Sequence, residues 1–197
     1  MNKAILMSIR PQHLVNILNG KKTIEIRKRF PSDYRGWVYC YCTLGKPYLY
    51  ECALYSLAKE GERAFVHNDK DETAVNFLSG KVVCRFWVDN VEEIYKSGDT
   101  CHFTNKLSGQ SLTQFSKLSD EELESYLGYG GNKIEVCGKA IRISKLEIFD
   151  EPKELDKFYY YKKRLIDCGM DCPPYFDEVK TQVHKAPQSW QYAYVED

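Results

Sequence analysis

The side chains best equipped for chemistry crowd into one short run. Lys21, Lys22, Arg27, Lys28 and Arg29 put five cations within nine residues, against the single carboxylate of Glu25, and Arg35 follows closely. Phosphate binding needs clustered, mobile cations, and arginine adds a bidentate fork. The same charge density also keeps an exposed strand edge from pairing with other chains, so the run supports both a binding face and a merely solvated one. Glu25 and Arg27, two residues apart, would share one face of a strand, with Thr23 before them and Lys22 at the entrance. The carboxylate could orient the guanidinium, accept a base N–H, or serve as a general base. Far along the chain, Gln188 and Ser189 could hydrogen-bond a ligand or simply end a turn. Trp190, Trp87, Tyr39 and Tyr41 offer rings able to stack on a base or to fill a core.

Other constellations are weaker. Asp69, Asp71 and Glu72 hold three carboxylates in four residues, but a metal-dependent nuclease would need them to converge with others, and a solvated loop is the expectation. Cys168 and Cys172 have a spacing seen in some metal sites, yet no CxxC or HxxxH pair accompanies them and the four histidines are scattered. Free thiols, no metal and no cofactor are expected. GxSxG, P-loop, GxGxxG and HExxH signatures are all absent.

At 197 residues and 43% hydrophobic content the chain can build one core with decorations. Lys+Arg and Asp+Glu balance at 28 each, so no global field gathers polyanions and a nucleic-acid site must be a local patch. Fifteen Tyr, nine Phe and three Trp favour strands. No stretch approaches the about 20 apolar residues that span a bilayer, and no signal-peptide pattern opens the chain, so a soluble, cytoplasmic protein is expected.

The periodicity predicts the elements that must position these groups. Ala4–Ile9 reads as a strand, and Pro11 opens a helix with Leu14, Val15, Ile17 and Leu18 as its apolar stripe, Gln12, Asn16 and Asn19 facing away, and Gly20 as its stop. From Thr23 to Phe30 the period becomes two, burying Ile24 and Ile26 and displaying Glu25, Arg27 and Arg29 together, with Lys28 pointing the other way. Trp37–Thr43, Lys81–Val91, Ile134–Val136, Ala140–Phe149 and Trp190–Val195 are further strands. Ser119 to Glu122 is a capping box opening a helix through Tyr126. Pro152 is read as opening a short helix that carries Leu155 and Phe158, and Gly169–Tyr175 as a loop. Residues 48–80 and 101–130 are read as decorations. Many short strands with few helices predict an α+β, mainly β chain, closed or nearly closed as a barrel.

The run Gly20-Lys-Lys-Thr-Ile-Glu-Ile-Arg27, after a strand and a short helix, resembles the ASCH domain signature, roughly GxKxxExR. Leu6–Pro11 looks like that family's first strand and helix entry, and Leu78–Val83, Trp87–Ile94, Tyr126–Gly128, Ile148–Leu155 and Ala186–Trp190 are similar to segments of a larger ASCH subgroup common in Firmicutes and their phages, so the resemblance spans nearly the whole chain and implies a single domain over residues 1–197. It implies a PUA-like β-barrel with short flanking helices and inserted excursions. It also implies a basic cleft for RNA or a modified nucleotide, with Lys21, Lys22, Thr23, Glu25, Arg27, Arg29, Ser189 and Trp190 as its binding residues. One branch of that family hydrolyses acetylcytidine with a Lys, a Thr and a Glu, and ribonuclease activity is described in it. Aligned through the signature, that branch's Lys falls on Lys22 but its Thr falls on Glu25, so a binder is expected rather than an amidohydrolase. If the chain is an enzyme, Lys22 and Glu25 are the catalytic candidates. A protein-interaction role for residues 48–80 and 101–130, in a phage or its host, is the third reading.

Overall fold

The computed structural model describes residues 2–52, 61–72, 77–97, 102–104, 112–128, 135–166 and 175–195. Cys168, Cys172, Gly130, Gly131 and most of the expected 169–175 loop lie outside that set, as do parts of both expected decorations. The first strand, β1 (Asn2–Ile9), is apolar at five of its eight positions, and from Ala4 to Ile9 it is buried on both faces. Ile5, Met7 and Ile9 join one core cluster, Ala4 and Leu6 another on the opposite side of the sheet. The strand β3 (Gly36–Cys42), parallel to β1, divides in the same way: Val38, Cys40 and Cys42 face the first cluster, Tyr39 and Tyr41 the second. Alternation with both faces apolar is the mark of a strand in the middle of a layered core.

Helix α1 (Pro11–Leu18) closes the first cluster, burying Leu14, Ile17 and Leu18 as the spacing predicts. Gly20, at φ +68°, turns the chain out of it in a conformation that costs glycine little. Asn19 does not face away. Its side chain donates to the Ala64 carbonyl and accepts from the Arg63 and Ala64 amides, fastening the hairpin of β4 (Tyr48–Glu51) and β5 (Ala64–His67) to the helix. Leu49 of β4 and Ala64 of β5 belong to the main core, so this part of the expected excursion is an integral element.

The remaining strands are β2 (Ile24–Arg27), β6 (Val82–Ser97), β7 (His102–Thr104), β8 (Glu135–Lys153), β9 (Phe158–Ile166), β10 (Tyr175–Gln182) and β11 (Trp190–Val195). They form one sheet in the order β10-β9-β11-β1-β3-β6-β8-β2, with β7 beside β6. The expected mainly β character is present, but the expected closure is not: among the described strands β2 and β10 end the sheet and do not pair. Register shifts along the β6–β8 ladder bend these long strands, so a deeply curved sheet replaces a ring.

Three further expectations need correction. The two strands read at 134–136 and 140–149 are one continuous β8, which also takes in Pro152. The helix read after Pro152 is a single 3₁₀ turn, Leu155–Lys157, and Phe158 begins β9. The β9–β10 hairpin was not expected, because nearly all of it beyond Phe158 is solvent-facing and carries no burial period. Helix α3 (Asp120–Leu127) has the predicted capping box, the Ser119 hydroxyl accepting from the Glu122 amide and the Glu122 carboxylate from the Ser119 amide. With α2 (Leu112–Ser116) it covers β2, burying Leu112, Leu123 and Leu127 with Ile26, Ile94 and Ala140 in a third cluster.

Candidate functional site

The loop between α1 and β2 is fixed by backbone bonds: the Lys21 and Lys22 amides donate to the Asn16 carbonyl, the Thr23 amide to Phe115, and the Ile143 amide to the Thr23 carbonyl. This drives Lys22 inward. Its side chain keeps 2% of its exposure, beside Glu25 at 6%, and its Nζ lies 3.1 Å from Glu25 Oε2. Arg27 Nη2 lies 3.0 Å from Glu25 Oε1, with the Arg27 side chain 10% exposed. The same Nη2 donates to the Ser8 carbonyl at 2.8 Å, and Nη1 donates to Ser189 Oγ at 3.4 Å. Ser8 is tied in turn to the 187–189 segment, donating from Oγ to the Pro187 carbonyl and from its amide to the Ser189 carbonyl.

Two cations and one carboxylate leave this buried cluster with an excess positive charge. Burial pushes the Glu25 carboxyl up, but Lys22 and Arg27 outweigh it and hold it below its ordinary value. Nε of Arg27 is buried without a hydrogen-bond partner among the described residues, and Oε2 of Glu25, equally buried, has the Lys22 ammonium 3.1 Å away as its ionic partner. A buried donor is costly to leave unsatisfied.

The cluster is the floor of an open groove of about 940 Å³, a size that accommodates a small molecule. The groove is edged by Arg10, Gln12 and His13 of α1 and its cap, by Lys28, by Thr43, and by Gln188 and Ser189. Burial, and then the charge of Lys22, hold the His13 imidazole below its ordinary value, so it faces the groove neutral. Across from them stand Glu121, Glu122, Ser125 and Tyr126 of α3. Lys28 does not point away as expected; its ammonium hangs 5.7 Å from the centre of the Tyr126 ring.

Of the eight binding residues implied by the resemblance, Lys22, Glu25, Arg27 and Ser189 meet in this groove, joined by Gln188. Lys21 turns outward and pairs with Glu62 at 2.7 Å. The Thr23 side chain is exposed and Arg29 lies past the end of β2, neither lining the groove. Trp190 is structural: its indole donates to the Arg29 carbonyl at 2.6 Å and its ring packs edge-on against Phe30. Trp37 and Trp87 pack edge-to-face on the sheet, with the Arg85 guanidinium over Trp37, away from the groove. Ser8, Arg10, Gln12, His13, Glu121 and Tyr126 were not anticipated at the site. The one available signal was the α3 pattern, in which burial of Leu123 and Leu127 leaves positions 121, 122, 125 and 126 on other faces.

Among the described residues no three His, Cys, Asp or Glu side chains gather as metal ligands, and no helix is long and apolar enough to cross a membrane. No protein-family model matches this chain, and searches of curated proteins and of solved structures also return no match.

Proposed function

We propose that the groove binds RNA or a nucleotide, with Lys22 and Arg27 taking an anionic oxygen at its floor. The observation that carries this reading is the buried Lys22–Glu25–Arg27 cluster with its excess positive charge and the unused Nε–H of Arg27. A buried charge without a partner is expensive, and a bound phosphate oxygen would supply the missing acceptor. The ASCH-like signature at Gly20–Arg27 supports the same reading, since it supplies all three members.

A hydrolase centred on Lys22 and Glu25 is the less favoured alternative. Glu25 is held ionised by two cations and its carboxylate is engaged by both, which makes it a weak proton acceptor. A protein-docking role for residues 48–80 loses support where β4 and β5 are part of the core.

Lys22→Met tests the binding reading while leaving the Glu25–Arg27 pair and the chain's bulk in place. It is expected to keep the far-UV spectrum and to weaken nucleotide or RNA binding by about 1–3 kcal/mol in a titration. Unchanged affinity for every nucleotide and RNA that wild type binds would sink the proposal, as would a wild type that binds none of them.

A further inference from the structure

The groove is bipolar rather than uniformly basic. Its lining combines Lys22 and Arg27 on the floor with Arg10 and Lys28, and on the α3 side, where the Lys28 ammonium reaches the Tyr126 ring, it carries Glu121 and Glu122 from the start of the helix. That side is acidic for a local reason. A helix N-terminus favours carboxylates, and the first turn holds Asp120, Glu121 and Glu122. Glu121 is exposed and lines the groove. A hydrogen bond from Ser119, then one from its own amide, hold its carboxyl below the ordinary value. It therefore stays charged at neutral pH. Glu122 stands beside it, its carboxylate oriented by the Ser119 amide.

A nucleic-acid strand threaded along this groove would carry a phosphate on each side of whichever nucleotide sat on Lys22 and Arg27. At least one of those flanking charges would run along the Glu121–Glu122 wall, where like charges repel. A single nucleotide has no such neighbours. Its phosphate can meet the unused Nε–H of Arg27 beside the Lys22 ammonium, while its base and sugar present N–H and O–H donors to carboxylates that only accept. The Tyr126 ring, 39% exposed at the rim, leaves a flat surface beside that wall.

We infer that the groove selects a nucleoside monophosphate over a nucleic-acid strand, with α3 as the element that excludes the polymer. This rests on the nucleotide reading above and narrows it. The test is equilibrium titration, at physiological ionic strength, of the four ribonucleoside 5′-monophosphates and of a mixed-sequence single-stranded RNA of about ten nucleotides, a length within the span of single-strand sites. Wild type is expected to bind at least one monophosphate about tenfold or more tightly than the RNA, a gap worth about 1.4 kcal/mol. Glu121→Gln, an exposed isosteric change that keeps both capping-box residues, Ser119 and Glu122, is expected to narrow that gap severalfold by strengthening the RNA. RNA binding as tight as the best monophosphate, or a ratio that Glu121→Gln leaves unmoved, overturns the inference. In the first case Lys22→Met still weakens RNA binding and the broader nucleotide reading survives. If neither probe binds wild type, both fall together.

Discussion

At the scale of single residues, the floor of the groove stands on charges that water would otherwise hold more cheaply. The cost surfaces as pH dependence. An unfolded chain protonates His13 near its ordinary value of 6.5, whereas the folded chain does so only at lower pH, because burial and Lys22 oppose the charged ring. The stability held by neutral His13 is therefore complete above 6.5 and drains away as pH falls through the folded value. Glu25 repeats the pattern lower down: its carboxylate contributes fully above 4.5 and progressively less as pH falls through its depressed folded value. Urea midpoints are expected to decline in two stages on acidification, and His13→Gln should remove the first stage and spare the second. A profile with no decline between neutrality and the Glu25 range, or one that His13→Gln leaves intact, would contradict this account. The residues behind it were unequally legible in the sequence. Lys22, Glu25 and Arg27 stood out because a strand's period of two puts positions 25 and 27 on one side and lets a lysine reach them from the turn. His13 gave no such signal, since a helix shows its apolar stripe in the sequence but not which neighbour its polar flank will meet. Arg29 and Trp190 show the converse: a cation and an indole look like binding groups in a sequence, yet neither lines the groove, and the indole N–H is engaged by the Arg29 backbone carbonyl.

Elements set how closely the two walls of the groove approach. Helix α3 sits on β8 where Gly138 leaves room; a Cβ there would come 2.7 Å from Leu127 Cδ2 and 3.2 Å from the Arg27 carbonyl oxygen. One methyl group would thus press on the helix that forms the acidic wall and on the backbone of the strand that forms the basic floor. Gly138→Ala is expected to cost about 1–3 kcal/mol by overpacking and to weaken ligand binding beyond what lost folded protein explains. A thermal melt paired with a titration separates the two effects, and a neutral outcome in both would mean that the seat of α3 is looser than these contacts imply. Elements with one buried face were readable in the sequence, as α1 and α3 show. Those governed by distant pairing were not. β2 stops at Arg27 rather than running on to Phe30, because its ladder with β8 ends at Lys139, next to the same glycine. The β9–β10 hairpin is held by its ladder rather than by a hydrophobic period, and nothing in its alternation announces it.

Taken as a whole molecule, the chain has no net charge, so no general field draws polyanions and the excess positive charge on the groove floor is a local feature. The open sheet has a further consequence. β1 lies between β3, which follows it closely in the chain, and β11, and the bond from Ser8 to Pro187 that finishes the groove joins residues 179 apart. Contacts between such distant segments pay the largest loop-closure entropy and form late. Pulsed hydrogen exchange during refolding should find the amides linking β3, β6 and β8 protected before those linking β1 and β11; simultaneous protection would count against this order. On a ribosome the same geometry means that an apolar first strand waits, one edge open, for residues 190–195 to emerge, and an unfilled edge of that kind attracts chaperones and other nascent chains. The groove cannot be completed until the 187–189 segment arrives, so a chain extended only to β10 lacks the Ser189 contact to Arg27. Completion of the groove is thereby tied to the arrival of residues 187–189, and a ligand held at that seam would lock β11 in place.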